Sequence, residues 1–274
     1  MAPRALTVAG SDVSGGAGIA ADLKMFEEVG VFGSSVITCI VTFDPAKEFE
    51  HAIEFFTPEV VRTQLDSALA IHEFDVIKSG MLGTVETALV LADRLQTTDL
   101  PYVLDPVLVC KGAGTMVDLK DLFVDNLVPH ATVATPNLEE AATLAGIDPI
   151  TDVAGMQEAA RIIHGQGAKN VIVKGGARLA GDQAIDVIFD GTTFTRLTAP
   201  KVSDTMVNGA GCSFASAIAA GIATGKSVVD AAVEAKKLVL QGIDRSVENA
   251  IGVNSLLHPA ARCHAERDLQ VTVG

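Results

Sequence analysis

Residues 5–29 read ALTVAGSDVSGGAGIAADLKMFEEV. The apolar run at 5–9 predicts a strand. A Gly-rich turn follows, and Ile19, Leu23, Phe26 and Val29 then recur at helical spacing, which predicts a helix over about 17–29. A strand that passes through glycines into a helix is half of a β–α–β unit, and the same alternation continues along the chain. The β-branched run at 34–42 predicts a buried strand, and 43–51 predicts a loop or flap. Residues 57–71 predict a helix with Thr57 as N-cap and Pro58 at its first position. Strands at 74–80, 101–109, 131–135 and 170–176 alternate with helices at 84–96, 119–127, 136–146 and 152–167. A hairpin turning at Asp190-Gly191 comes next, and then two helices after Cys212, the second opening on Ser227 and Asp230.

Such alternation implies an α/β fold with a mostly parallel central sheet and helices on both faces. Sheets of this kind bind ligands beyond the carboxyl ends of their strands. No repeat, linker or low-complexity tract divides the chain, so residues 1–274 read as one domain. The stretch at 33–56 reads as a small lid.

Composition excludes several classes. A net charge of −14 leaves no basic stripe for nucleic acid. No apolar run approaches the roughly 18–20 residues needed to span a bilayer. The first residues enter a strand-like run with no apolar leader, which places the protein in the cytoplasm. Cys39, Cys110, Cys212 and Cys263 show no metal-ligand spacing and read as free thiols, with Cys39 and Cys263 as small buried residues.

The Gly-rich turn fits neither common nucleotide fingerprint. A Walker A loop needs Lys and Ser/Thr after its second glycine, where Gly16 and Ala17 stand here. The glycines at 10, 15, 16 and 18 are also out of register for GxGxxG. Asp12 still falls at the ligand-binding rim, as a ligand contact or a helix cap. Asp105 ends another strand, where a carboxylate can hold Mg²⁺ through water. Asn137 and Glu140 lie three apart at a helix start, either beside a hydrated cation or as a solvated polar turn. Lys174, Gly175 and Gly176 end a strand where backbone can approach phosphate. Gly209, Ala210 and Gly211 offer backbone N–H groups to an anion. Cys212 follows them, either as a thiol ionised by those donors or as a small residue packed at a crowded helix start.

Together, AGSDVSGGAGIAADLK, IKSGMLGT, VLDPVLVCKG, ATPNLEEA, VIVKGG and NGAGCSF resemble, in order, the ribokinase-like superfamily. Within it they resemble the hydroxymethylpyrimidine/phosphomethylpyrimidine kinases and the bacterial pyridoxal kinases. The resemblance implies ATP-dependent, Mg²⁺-assisted phosphorylation of a hydroxymethyl group on an aromatic heterocycle by a homodimer. It implies Cys212 as catalytic base, with Gly209–Gly211 as the anion hole. Asn137, Asp105 and Glu140 would arrange Mg²⁺ and the phosphates, Lys174, Gly175 and Gly176 would lie along ATP, and Asp12, Met81 and Val107 would line the heterocycle. The pyrimidine kinases carry a glutamine where this chain has Phe43, which cannot bond an aminopyrimidine but packs on a pyridine ring. Cys110 is similar to the lid thiol of dual-cysteine pyridoxal kinases. Both features favour pyridoxal or pyridoxine over hydroxymethylpyrimidine, with a non-catalytic nucleotide- or vitamer-binding protein as a third reading. Asn208 stands where relatives have histidine, so no residue there titrates near neutral pH. The segment at 34–42 is the expected dimer contact.

Overall fold

The computed structural model describes residues 2–108, 119–203, 205–263 and 270–274. Its strands are β1 (Arg4–Asp12), β2 (Phe32–Asp44), β3 (Glu50–Phe55), β4 (Val76–Ser79), β5 (Tyr102–Leu104), β6 (Val133–Ala134), β7 (Val171–Lys174), β8 (Gln183–Phe189), β9 (Phe194–Pro200) and β10 (Thr272–Val273). The helices are α1 (Gly18–Val29), α2 (Pro58–Ile71), α3 (Val85–Leu95), α4 (Lys120–Asn126), α5 (Leu138–Ala145), α6 (Val153–Gly165), α7 (Ala210–Ala223), α8 (Val228–Asp244) and α9 (Ala260–Cys263). Among the described residues the strands form one sheet in the order β10-β9-β8-β7-β6-β5-β4-β1-β2-β3. From β7 to β2 all neighbours are parallel, and β3 at one margin and β8, β9 and β10 at the other are antiparallel.

The parallel strands read as unbroken apolar runs because both faces are covered. Successive residues point to opposite sides, so Leu6, Ile77, Leu104 and Val173 meet α2–α6. Ala5, Val76, Val103 and Ile172 meet α1, α7 and α8. Ser79 and Tyr102, both fully buried, share a 2.5 Å hydrogen bond beneath the first layer.

Thr57, Thr84, Asp152 and Ser227 each accept an amide at a helix start. The structure departs from the sequence reading chiefly at the sheet margins. β1 runs to Asp12 through a register shift between Ala9 and Ser11, so Gly10 belongs to a strand. The stretch at 43–51 is only partly a loop: Phe43 pairs with His51 and Asp44 with Glu50, making β2 and β3 a hairpin flap. Before Cys39 the outer edge of β2 has no strand neighbour among the described residues, and Gln64 of α2 serves it instead, accepting from the Ile37 amide at 2.9 Å and donating to its carbonyl at 3.0 Å. Cys39 is buried as expected, whereas Cys263 is exposed, because α9 is a short surface turn near the end of the chain. Met206, Val13 and Val253 stay exposed around the carboxyl ends of the strands. No described helix is long and apolar enough to cross a membrane.

Tyr102→Phe strips Ser79 of its buried partner. Urea unfolding should show a loss of about 1–2 kcal/mol with the slope unchanged.

Candidate active site

Two cavities, of about 430 and 420 Å³, open side by side beyond the carboxyl ends of the strands. Cys212, Asn208, Asn137, Glu140 and Val107 line both, so the thiol stands where the chambers meet. Gly10, Met81, Phe43, His51 and Ile53 line the first. Lys174, the glycines at 175 and 176, and the helix start at 209–211 line the second, with Val239 and Ile243 of α8 deeper in.

Glycines let the segments around the thiol approach. Gly209 takes φ +81 as N-cap of α7, and a Cβ there would fall on the Gly16 carbonyl. Gly18, with φ +58, lies equally close to the Gly10 carbonyl. The starts of α1 and α7 thereby converge on one space, and each brings a positive helix end. Cys212 is the third residue of α7, which begins before the thiol rather than after it. The Ala210 amide is engaged by the Val207 carbonyl at 3.3 Å, whereas those of Gly209, Gly211 and Cys212 have no partner among the described residues. The anion-binding donors therefore sit partly one step later than the sequence placed them. Burial pushes the Cys212 thiol up to about 11, against the pull of Lys78 and the Gly18 amide and with a further push from Asp105 and Asp22. The protonated thiol is accordingly the resting form, contrary to the ionised thiol that a helix start alone predicts.

On the nucleotide-like side, Lys174 donates to Asp105 at 3.0 Å, and Thr135 reaches the same oxygen at 3.4 Å. Burial works against the Lys174 charge, but Asp105 and Glu140 hold the group above its ordinary value. Asn137 and Glu140 form a reciprocal capping box. The Asn137 side chain accepts from the amides of Glu139 (2.9 Å) and Glu140 (3.0 Å), and Glu140 accepts from the Asn137 amide at 2.8 Å. One oxygen of each is therefore committed to the helix, a polar helix start as one of the two sequence readings has it. Burial pushes Glu140 up to about 7, ahead of the opposing pull of Lys174 and the added push of Asp105. Among the described residues no three His, Cys, Asp or Glu groups form a metal cage. Asp105 and Glu140 are hard oxygen donors on one cavity wall, and two carboxylates fit a Mg²⁺ that keeps waters and phosphate as its other ligands.

In the first chamber, Asp12 accepts from the Ser14 amide at 2.7 Å and from Asn208 at 3.2 Å. Asp12 does not cap α1, whose N-cap is Ala17 with no side-chain bond; it orders the Gly-rich turn and faces the cavity. Phe43 meets His51 edge-on, with ring centroids 4.6 Å apart. Met81 and Val107 line this chamber as expected. Cys110 lies outside the described residues.

Sequence reasoning missed His51, Arg178 and the Asp186–Lys236 pair. His51 arrives only through the β2–β3 register. Arg178 lines both cavities and pairs at 3.8 Å with Glu139. Lys236 of α8 donates to Asp186 at 2.6 Å, and Asp186 also accepts from the Gly175 amide at 3.2 Å, which fixes the Lys-Gly-Gly turn from below.

One chamber walled by rings and methyl groups, another by lysines and helix-start amides, and a thiol between them suit the passage of a phosphoryl group from one ligand to the other. This is the arrangement of a small-molecule kinase with a ribokinase-like fold. The chain belongs to the phosphomethylpyrimidine kinase family, whose model matches residues 12–256. It is 38% identical over 266 residues to the pyridoxine kinase of Bacillus subtilis, covering 96% of this chain and 98% of that protein. The pyridoxal kinase from Staphylococcus aureus in complex with AMP-PCP and pyridoxal superposes with a TM-score of 0.92 at 36% identity, over 100% of this chain and 99% of that one. The phosphomethylpyrimidine kinase from Clostridium difficile gives 0.72 at 31%, over 85% and 96%.

Glu140 is neutral in the fold but ionised in the unfolded chain between pH 4.5 and about 7. Over that window the folded state holds the extra proton, so stability falls as pH rises, by about 3 kcal/mol in all. Glu140→Gln keeps the capping acceptor and stays neutral. Its own urea-unfolding free energy should lack this decline, so the parent-minus-variant difference at each pH should trace it.

Proposed function

We propose that the protein phosphorylates the 5'-hydroxymethyl group of pyridoxal and pyridoxine with ATP, in vitamin B6 salvage. The observation that carries this reading is the acceptor wall. Phe43 stands edge-on to His51 beside Met81 and Val107, a setting that packs a pyridine ring and has no amide at the Phe43 position for an aminopyrimidine. The likeness to pyridoxine and pyridoxal kinases over nearly the full chain supports the same substrate.

The heterocycle lies in the first chamber, oriented by Asp12 and Asn208, and the triphosphate enters the second along Lys174, Gly175 and Gly176. Asp105 and Glu140 would hold a Mg²⁺, which would supply neutralisation of phosphate charge. Cys212 loses its proton to solvent on activation. Its thiolate then accepts the proton of the substrate hydroxyl as that oxygen bonds the γ-phosphorus and the bond to the ADP oxygen breaks. The amides of Gly209, Gly211 and Cys212 receive the charge that builds on the transferring group, alongside the expected Ala210. Cys110 is assigned to the acceptor side, where its sulfur adds to the pyridoxal aldehyde carbon and its proton passes to the aldehyde oxygen. The enzyme works in the cytoplasm as one catalytic domain, residues 1–274, paired into a homodimer through the 34–42 segment of β2.

With Mg²⁺ and ATP, the purified protein should consume ATP on addition of pyridoxal or pyridoxine. Cys212→Ala should reduce the rate by about 10²-fold or more. Phe43→Ala should raise the KM for pyridoxal with less effect on kcat. Turnover of hydroxymethylpyrimidine alone would transfer the assignment to thiamine synthesis, and ATP binding without any turnover would leave a carrier.

A further inference from the structure

Lys78 is fully buried, yet nothing in the phosphoryl transfer described above uses it. Its ammonium bonds both oxygens of Asp22 at 2.9 Å. The same carboxylate takes the Thr7 hydroxyl at 2.6 Å and the Ser216 hydroxyl at 2.7 Å. Ser216 lies one turn along α7 from Cys212.

The ammonium also comes close to the acceptor chamber. Gly80 lines that chamber with Cys212, and a Cβ on Gly80 would stand 3.0 Å from the Lys78 nitrogen. Only a residue without a side chain therefore covers the charge on that side. Burial favours the thiol form of Cys212, and Lys78 is the strongest of the charges opposing it. The other ionisable groups around Cys212 are Asp22 from α1, Asp105 beyond β5, Lys174 at the end of β7, Asp12 at the end of β1 and Glu140 on α5. Lys174 is committed to Asp105. Asp22 divides its charge among an ammonium and two hydroxyls, so it cancels the Lys78 field only in part.

We propose that Lys78 is the fixed counter-charge of Cys212, a positioning residue whose ammonium, held under Gly80 by Asp22, stabilises the thiolate without touching substrate. The inference rests on Cys212 acting as the base. It gives the Asp22 cluster a chemical purpose: the cation is placed by the same carboxylate that anchors α7 through Ser216.

The test is the rate of iodoacetamide alkylation of Cys212 in Mg²⁺- and nucleotide-free buffer, followed on its own peptide by mass spectrometry across pH. Lys78→Met should shift the thiol midpoint up by about one unit or more, a roughly tenfold slower alkylation near pH 9. Ser216→Ala loosens the same cluster but keeps the ammonium, and should leave the rate within about twofold of the parent. If Lys78→Met does not fold, the double variant Lys78→Met with Asp22→Asn, which leaves no unpaired charge, should still slow alkylation, by less because the opposing Asp22 charge is also gone. An unchanged rate on loss of the ammonium overturns the proposal. So does an equal slowing in Ser216→Ala, which would make the effect structural. Full kinase turnover by Cys212→Ala would instead remove the base assignment, whatever the alkylation shows.

Discussion

The fold turns on one carboxylate. Asp22 is wholly buried, and a charge in that position is tolerable only when every lone pair is met. Its partners come from three other elements: Thr7 on β1, Lys78 on β4 and Ser216 on α7. The cluster therefore fixes α1, two central strands and α7 against one another. Apolar packing between the same helices tolerates sliding by small amounts, whereas a set of hydrogen bonds of 2.6–2.9 Å does not. Loss of one charged partner from such a pair typically costs about 3–5 kcal/mol, far more than the pair itself contributes. The relative placement of the two helix starts, and so the width of the space between them, follows from this constraint.

That placement explains how a chain of charge −14 can receive a triphosphate. Long-range attraction is the wrong sign, and the lysines nearest the second chamber are already paired, Lys174 with Asp105 and Lys236 with Asp186. The attraction for an anion must be local. It comes from amides at the start of α7 that have no partner among the described residues and from the α1 start aimed at the same place. The ion pairs then act as scaffolding: Asp105 holds Lys174 in reach of phosphate, and Asp186 holds the Gly175 amide.

The central α/β pattern was legible in the sequence because apolar runs such as those around Leu6, Ile77, Val103 and Ile172 leave one arrangement that buries both faces. The helix caps at Thr57 and Ser227 were legible because their chemistry is local. The site was legible as a set of positions: Cys212, Lys174, Asp105, Met81 and Val107 do line two joined cavities. What escaped depended on register or on distant partners. His51 faces the acceptor chamber only because it pairs with Phe43 across a hairpin. The state of Cys212 stayed open in the sequence because a helix start argues for ionisation, while burial and the neighbouring carboxylates, which spacing does not reveal, argue more strongly against it. Asn137 and Glu140 show the converse. Their spacing was noticed, but the capping box that it specifies, which engages one oxygen of Glu140, was not.

Asn208 leads into the catalytic helix, yet its backbone is tied to the far end of the polypeptide. Its amide donates to Asn254, and its carbonyl accepts from Leu256. Ser213, next to Cys212, shares a 2.9 Å bond with His258. During synthesis the sheet and most of its helices emerge from the ribosome well before these residues do, and domains fold as they appear. The turn before α7 can take up its final form only after residues 254–258 have been released. A nascent or prematurely terminated chain would thus carry a formed sheet with an unformed phosphate site, and no partly made copy could spend ATP.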